Sequence, residues 1–459
     1  MSIFTRHDVS RRAFLERATL LGIAGAAMPF VMNLAAIGEA AAATAPDYKA
    51  LVCLFMYGGN DDANTLVPYD QPRYDLYAKL RQSVALGRDS LAPTVLMPSA
   101  TLVGGGQYAL HPALAPLLPI WNSGHLAAVL NVGTLVQPTT KAQYVARSAA
   151  VPPKLFSHND QASYWLAAAP EGAASGWGGR IGDLLQSGNG NATLTCINPG
   201  DNTVFLAGKT AVQYVLTTGG PVPLNNDSSS VFGSNTVGNT LKSFLSAPRV
   251  HLIENENTRI GKRALETSAT VVAALAKAPV LQTQFPEKQL AHQLRTVAQL
   301  IASSADVGAK RQVFFVSMSG CDTHGNLLGA HADLMTMLGN ALRAFHDATV
   351  ELRVADRVTA FTASDFGRTM TTNGGGSDHG WGSMHFVMGG AVNGQQFYGK
   401  PPVIADNGSD DVGQGRLLPT MSVDQYAATL ATWFGVSAGD MRTVLPNIGN
   451  YTTQNMGFV

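Results

Sequence analysis

Cysteine is scarce in this chain, and the scarcity excludes two classes at once. Cys53, Cys196 and Cys321 allow at most one internal disulfide, so neither a disulfide scaffold nor a cysteine-rich zinc module fits. Charge is also low. Asp, Glu, Lys and Arg make up 14% of the sequence, and 31 basic residues cancel 31 acidic ones, which removes any general electrostatic case for nucleic acid. No Gly-x-Gly-x-x-Gly follows a strand-like run and no haem or iron–sulfur spacing occurs, which argues against a redox enzyme. Internal repeats and low-complexity linkers are missing as well. With 46% hydrophobic residues over 459 positions, the chain has material for a large core and little for disorder.

The most specific pattern present is a targeting one. Ser10-Arg11-Arg12-Ala13-Phe14-Leu15 precedes a mild apolar run from Ala18 to Ile37, and small residues follow at Ala40-Ala41-Ala42-Ala43. This pattern predicts a twin-arginine export signal over residues 1–43, recognised by the twin-arginine export machinery and then removed. The expected product is a periplasmic or secreted protein, residues 44–459, with no transmembrane anchor. Export of that kind carries folded proteins, so a metal site loaded beforehand fits the route.

Strand-like and helical patterns alternate along the rest, which predicts an α/β fold. Tyr48–Tyr57, Leu126–Val132, Gln312–Val316, Arg357–Ala363 and Phe386–Gly390 read as buried strands. Leu290, Leu294, Val297 and Ile301 share one helical face, Ala330–Asp347 and Val423–Phe434 read as further helices, and Ser157 caps a helix running through Leu166. Residues 192–248 shift to Thr, Val, Asn, Ser and Gly, with short strands expected at Val204–Leu206 and Ala211–Leu216; this stretch reads as an insertion or cap.

The strand ends carry the chemistry. Asp61 follows the first strand within Gly58-Gly59-Asn60-Asp61, Asp322 and His324 follow the 312–316 strand, and Asp365 and Arg368 follow the 357–363 strand. A glycine-rich loop then delivers Asp378, His379 and His385. In a doubly wound sheet such ends converge on one edge. Carboxylates and imidazoles gathered there suit a divalent transition metal such as zinc, and two ions about 3.5–4 Å apart would suit hydrolysis of phosphate-like esters.

Gly58-Gly59-Asn60-Asp61 with Asn64 and Val67-Pro68-Tyr69, then Asp322-Thr323-His324, Ser364-Asp365-Phe366-Gly367-Arg368-Thr369, Asp378-His379-Gly380-Trp381 and Gly389-Gly390 with Tyr398-Gly399, resemble the motifs of a known family. It is the exported family catalogued as domain of unknown function fifteen-oh-one (DUF1501), within the alkaline-phosphatase-like superfamily. The resemblance implies a three-layer α/β/α sandwich with a mixed, mostly parallel central sheet and a bimetal site of zinc, manganese or calcium. It places Asp61, Asp322, His324, Asp365, Asp378, His379 and His385 as ligands. Phe366 stands where the superfamily has a histidine, so either Asp378-His379 supplies that ligand or only one metal site is intact; His331 is an alternative to His324. Ser157, with Thr134 second, sits where the superfamily carries its nucleophile, although Ser157 is equally read as a plain helix cap. Arg368 either clamps an anionic substrate or pairs with a carboxylate. Cys321 lacks the sequence used for formylglycine. The reaction implied is metal-dependent hydrolysis or transfer on phosphate or sulfate esters, small anionic or envelope-derived. The alternative is a non-catalytic exported binding or assembly protein that keeps the fold.

Overall fold

The segment KALVCLFM is apolar after its first residue and forms strand β1 (Lys49–Met56), in which every side chain from Ala50 onward is buried. An unbroken apolar run of this kind belongs to a strand covered on both faces. Residues 48–102, 104–221, 233–405 and 407–459 are described by the computed structural model; the export signal expected at 1–43 lies outside them. Among the described residues, further strands follow as β2 (Leu66–Pro68), β3 (Tyr108–Leu110), β4 (Leu126–Gly133), β5 (Cys196–Asn198), β6 (Tyr214–Thr217), β7 (Gly220–Pro221) and β8 (Arg311–Met318). The remainder are β9 (Val358–Ser364), β10 (Arg368–Thr372), β11 (Ser377–His379), β12 (Ser383–Gly389), β13 (Gln396–Tyr398) and β14 (Met421–Ser422).

The central sheet runs β13-β4-β12-β9-β1-β8-β5-β6-β7, with β14 also on β4. Pairing is parallel except that β12 runs against both β4 and β9, and β7 against β6. The helices that cover the sheet or line its edges include α1 (Asp62–Thr65), α2 (Gln71–Arg81), α3 (His158–Ala167), α4 (Trp177–Leu185), α5 (Asn235–Ser246), α6 (Leu252–Lys277), α7 (Gln289–Ala302), α8 (Leu327–Glu351) and α9 (Val423–Phe434). Side chains alternate across each strand, so β1 feeds two cores. Val52, Leu54, Phe314 and Phe386 face one layer, filled by Leu294 and Val297 of α7 and by Leu338 and Phe345 of α8. Leu51, Cys53, Phe315 and Phe361 face the other, filled by Trp165 of α3, Trp177 of α4, and Tyr426 and Phe434 of α9. The architecture is a mixed, mostly parallel sheet flanked by helices on both faces.

Two local expectations differ from the fold. Val204–Leu206 is a turn of 3-10 helix, because the Thr203 hydroxyl accepts from the Phe205 amide and caps it. The stretch at 192–248 begins inside the main body, since β5 pairs with β8 and extends the central sheet.

Strand β12 starts three residues before the expected Phe386, and this shift sets the surroundings of His385. His385 shares parity with Val387 and is buried against Trp165 and Tyr426, with ring centroids 4.6 and 5.9 Å away. Burial pushes its pKa down to about 3. The folded state therefore holds this imidazole neutral while the unfolded chain protonates it below about pH 6.5, so its contribution is intact above that pH and declines as the pH falls toward 3. Replacing it by Phe, of similar size, should make urea-unfolding stability less pH-dependent, by about 2 kcal/mol between about pH 7.5 and pH 5. Identical pH dependence in both proteins would remove His385 as a source of acid sensitivity.

A candidate metal centre at the strand ends

Met56 lies opposite Met318 on one side and Ser364 on the other, so the three parallel strands end at one level. The loops after them, 57–61, 319–326 and 365–367, leave the sheet side by side. Two glycines permit their closeness. A Cβ on Gly58, at φ +109°, would sit 2.5 Å from the Asp322 amide nitrogen, and one on Gly59 would sit 2.3 Å from the Phe366 ring. The β10–β11 hairpin, in which Arg368 pairs with His379, then folds Asp378 and His379 back over the same edge.

The sequence-predicted residues Asp322, His324, Asp365, Asp378 and His379 meet here, joined by His158. His158 Nδ1 is 2.7 Å from Asp365 Oδ2, His324 Nδ1 is 2.9 Å from Asp378 Oδ1, and His379 Nδ1 is 2.8 Å from the Phe156 carbonyl oxygen. Each of these oxygens accepts, so each Nδ1 carries a proton, and in the neutral form of each ring Nε2 offers its lone pair. Those lone pairs converge on one carboxylate. His324 Nε2 and His379 Nε2 lie 3.0 and 3.4 Å from Asp322 Oδ1 and 3.0 Å from each other, while His158 Nε2 is 3.6 Å from Asp322 Oδ2. His158, Asp322 and His379 each offer one donor atom within 4.8 Å of the others. Lone pairs packed this way repel one another unless a proton or a cation lies among them. Imidazoles with Nδ1 tied back to carboxylate or carbonyl and Nε2 facing inward are the usual arrangement of metal-ligating histidines. The donor set therefore fits a divalent cation.

The two carboxylates support the same arrangement. Burial pushes the Asp322 carboxyl up, but the hydrogen bond and charge of Arg368 prevail and hold it below the usual carboxylate range. Asp378 is likewise lowered, its partial burial outweighed by hydrogen bonds with Asn373 and His324. His158 is raised, chiefly by its hydrogen bond to Asp365. His379 is lowered by burial, against the bond to the Phe156 carbonyl. Phe366 is buried against both the His158 and His379 rings, 4.9 Å from each, while those two rings lie 4.3 Å apart.

The other sequence candidates lie deeper or elsewhere. Asp61 is buried beneath the cluster: Oδ2 accepts from Arg81 at 2.7 Å and from the Ser377 hydroxyl at 2.5 Å, and Oδ1 accepts from the Asn64 amide that opens α1. Arg368 donates to Asp322 at 2.7 Å, to the Gly58 carbonyl at 3.1 Å and to Ser377, which makes it the carboxylate's partner. Asp365 Oδ2 also accepts from the Gly58 amide at 3.0 Å. Ser157 precedes α3, but its hydroxyl donates to Asp160 at 2.8 Å and caps no amide. Thr134 is buried, bonded to Gln161 and Trp381. His331 is buried beside Thr65 and His111, so His324 is the histidine at Asp322. His385 stays in the core against Trp165, in a helix-facing layer rather than at the strand ends. His158 is the member of the cluster that the strand-end pattern does not single out, because it arrives from a helix. Its one sequence signal is a histidine in the first turn of a helix that begins after Pro152-Pro153.

The buried Asp61–Arg81 pair gives a structural test. Asp61→Ala leaves a fully buried guanidinium without its counterion, and the expected loss in chemical denaturation is about 3–5 kcal/mol. A loss below about 1 kcal/mol would mean that Asp61 is not the partner that keeps Arg81 inside.

No curated protein matches the chain. Solved structures similar to the chain include the lipoteichoic acid synthase LtaP from Listeria monocytogenes, 8% identical, covering 90% of this chain and 74% of that one with a TM-score of 0.34. The PsFucS1 sulfatase from Pseudoalteromonas sp. is 9% identical, covering 94% and 74% with a TM-score of 0.33. A third, Ps i-CgsB in complex with k-i-k-neocarrahexaose, is 9% identical, covering 86% and 74% with a TM-score of 0.34. The model of the family described as "Protein of unknown function (DUF1501)" matches residues 48–436, a span that holds every residue of the cluster, and the chain belongs to that family.

Proposed function

We propose that this chain is an exported, metal-dependent hydrolase of phosphate or sulfate esters. The observation that carries the reading is the turning of three imidazole Nε2 atoms onto Asp322, with every Nδ1 tied outward. His158, Asp322 and His379 would hold the ion, with His324 Nε2 beside them at 3.0 Å from Asp322 and from His379. A nitrogen-rich set with one carboxylate favours zinc over calcium, which prefers oxygen donors. When bound, such an ion supplies a Lewis acid and lowers the pKa of water toward neutrality.

The remaining residues prepare that site. Asp365, Asp378 and the Phe156 carbonyl fix tautomer and ring orientation, and Arg368 aims Asp322 and keeps it ionised. Phe366 excludes water from behind the rings, while the side chains of Asp322 and His324 are 44% and 45% exposed and leave the front open to an ester. The Ser157 hydroxyl is hydrogen-bonded to Asp160, and we assign attack to water. A second reading, a non-catalytic exported binding protein, draws on the hydrogen bonds of Arg368. They go to protein groups, so the arginine expected to clamp an anion is already occupied.

Elemental analysis of protein purified without chelator tests the reading. About one equivalent of zinc per chain is expected, lost in His158→Ala and in Asp322→Ala with the circular dichroism unchanged, together with turnover of a phosphate and sulfate ester panel. Bound metal without turnover would favour the binding protein, and a folded, metal-free protein would sink the hydrolase. Asp365→Asn should keep the fold and weaken zinc affinity about 10–100-fold in a competition titration, since it touches the ion only through His158. Unchanged affinity would show that the Asp365–His158 bond orients nothing.

A further inference from the structure

Helices α5 and α6 form a hairpin packed against each other, with their connection at residues 247–251. Their residues are disposed oppositely to those of α7, which buries Leu290, Leu294, Val297 and Ile301. Gly238 and Thr258 are buried, and a Cβ on Gly261 would stand 3.4 Å from the Leu245 carbonyl oxygen, so small residues close the hairpin. The large apolar side chains face solvent: Phe244 is 61% exposed, Leu252 83% and Ile253 74%, with Val250 fully exposed between them. An amphipathic helix normally places these groups inside.

Charge around the turn is one-sided. Over residues 242–266, Lys242, Arg249, Arg259, Lys262 and Arg263 outnumber Glu254, Glu256 and Glu266 in a chain whose net charge is zero, with Arg259 paired to Glu256 and Lys262 to Glu266. Arg249 lies 4.2 Å over the Phe244 ring and donates to the Phe244 carbonyl at 3.0 Å, which puts a cation at the rim of the apolar tip. No helix among the described residues is long and apolar enough to cross a membrane, so contact of these helices with lipid would be limited to the interface.

We propose that the tip of the α5–α6 hairpin docks on the surface of an anionic lipid bilayer. Phe244, Val250, Leu252 and Ile253 enter the boundary between headgroups and acyl chains, and the basic residues engage lipid phosphates. A convex tip of this chemistry suits a fluid surface, and the charge excess selects one that is negative. Neither helix contributes a residue to the metal centre, so the two sites stand apart.

Vesicle flotation tests it. The purified protein should co-float with vesicles of phosphatidylglycerol and phosphatidylethanolamine, release as salt is raised, and bind vesicles of phosphatidylcholine weakly. The triple variant Phe244→Ser, Leu252→Ser, Ile253→Ser should lower the bound fraction about tenfold, and Arg249→Glu with Arg263→Glu should bring binding down to the phosphatidylcholine level. Both variants change exposed residues of the hairpin and are compared with the parent by circular dichroism; each retains the parent's N-terminal segment, so binding by that segment cancels. Absence of flotation by the parent, or flotation undiminished in both variants, overturns the proposal. A parent dimer in sedimentation that the triple variant splits, without vesicle binding, assigns the face to a second copy and overturns it equally.

Discussion

The common level at which β1, β8 and β9 end is the constraint on which the candidate site depends. Because Met56 sits opposite Met318 and Ser364 in parallel register, the loops after these strands emerge within side-chain reach of one another although they are far apart in sequence. The antiparallel β12 adds a fourth approach, since its start lies where β9 ends and the β10–β11 hairpin must cross the same edge before it. Backbones this close tolerate no side chain at Gly58 or Gly59. Geometry of the sheet thus decides which polar residues share a site, and chemistry decides what that site can hold.

Beneath the imidazoles, charge is arranged in a chain that runs from the interior outward: Arg81 to Asp61, Asp61 to Ser377, Ser377 to Arg368, and Arg368 to Asp322. A buried ion costs several kcal/mol when unpaired, so each link is held by the next. The outermost member, Asp322, is the only one of these charges that reaches solvent appreciably, and it is the one on which the histidines converge. A carboxylate whose orientation is set by a fully buried arginine is preorganised for a ligand, because its supporting partner has no freedom to turn away.

The α5–α6 hairpin obeys the opposite rule beside β7, at the edge of the sheet, with small residues inside and large apolar ones outside. In the core helices α7 and α8 the same residue types are interior. The contrast follows from support: α7 and α8 lie on the sheet, whereas the hairpin tip has no described layer beyond it.

Much of the fold was legible in order and composition. Unbroken apolar runs located β1, β4, β8 and β9 within one or two residues at each end, because strands covered on both faces admit few polar positions. Helical spacing of apolar residues located α7 and α9 for the corresponding reason. The acidic and histidine residues after those strands were visible too, as was the convergence that a parallel sheet imposes on them. Tertiary structure alone decided their roles. His158 enters the cluster through the packing of α3 over the sheet edge, Asp61 is drawn inward by Arg81, and His385 is turned into the core by where β12 begins. Sequence by itself determined which residues were available at the strand ends, since local pattern controls where a strand stops. Which of them face one another depends on non-local register and on buried charge pairs, and neither leaves a periodic trace along the chain.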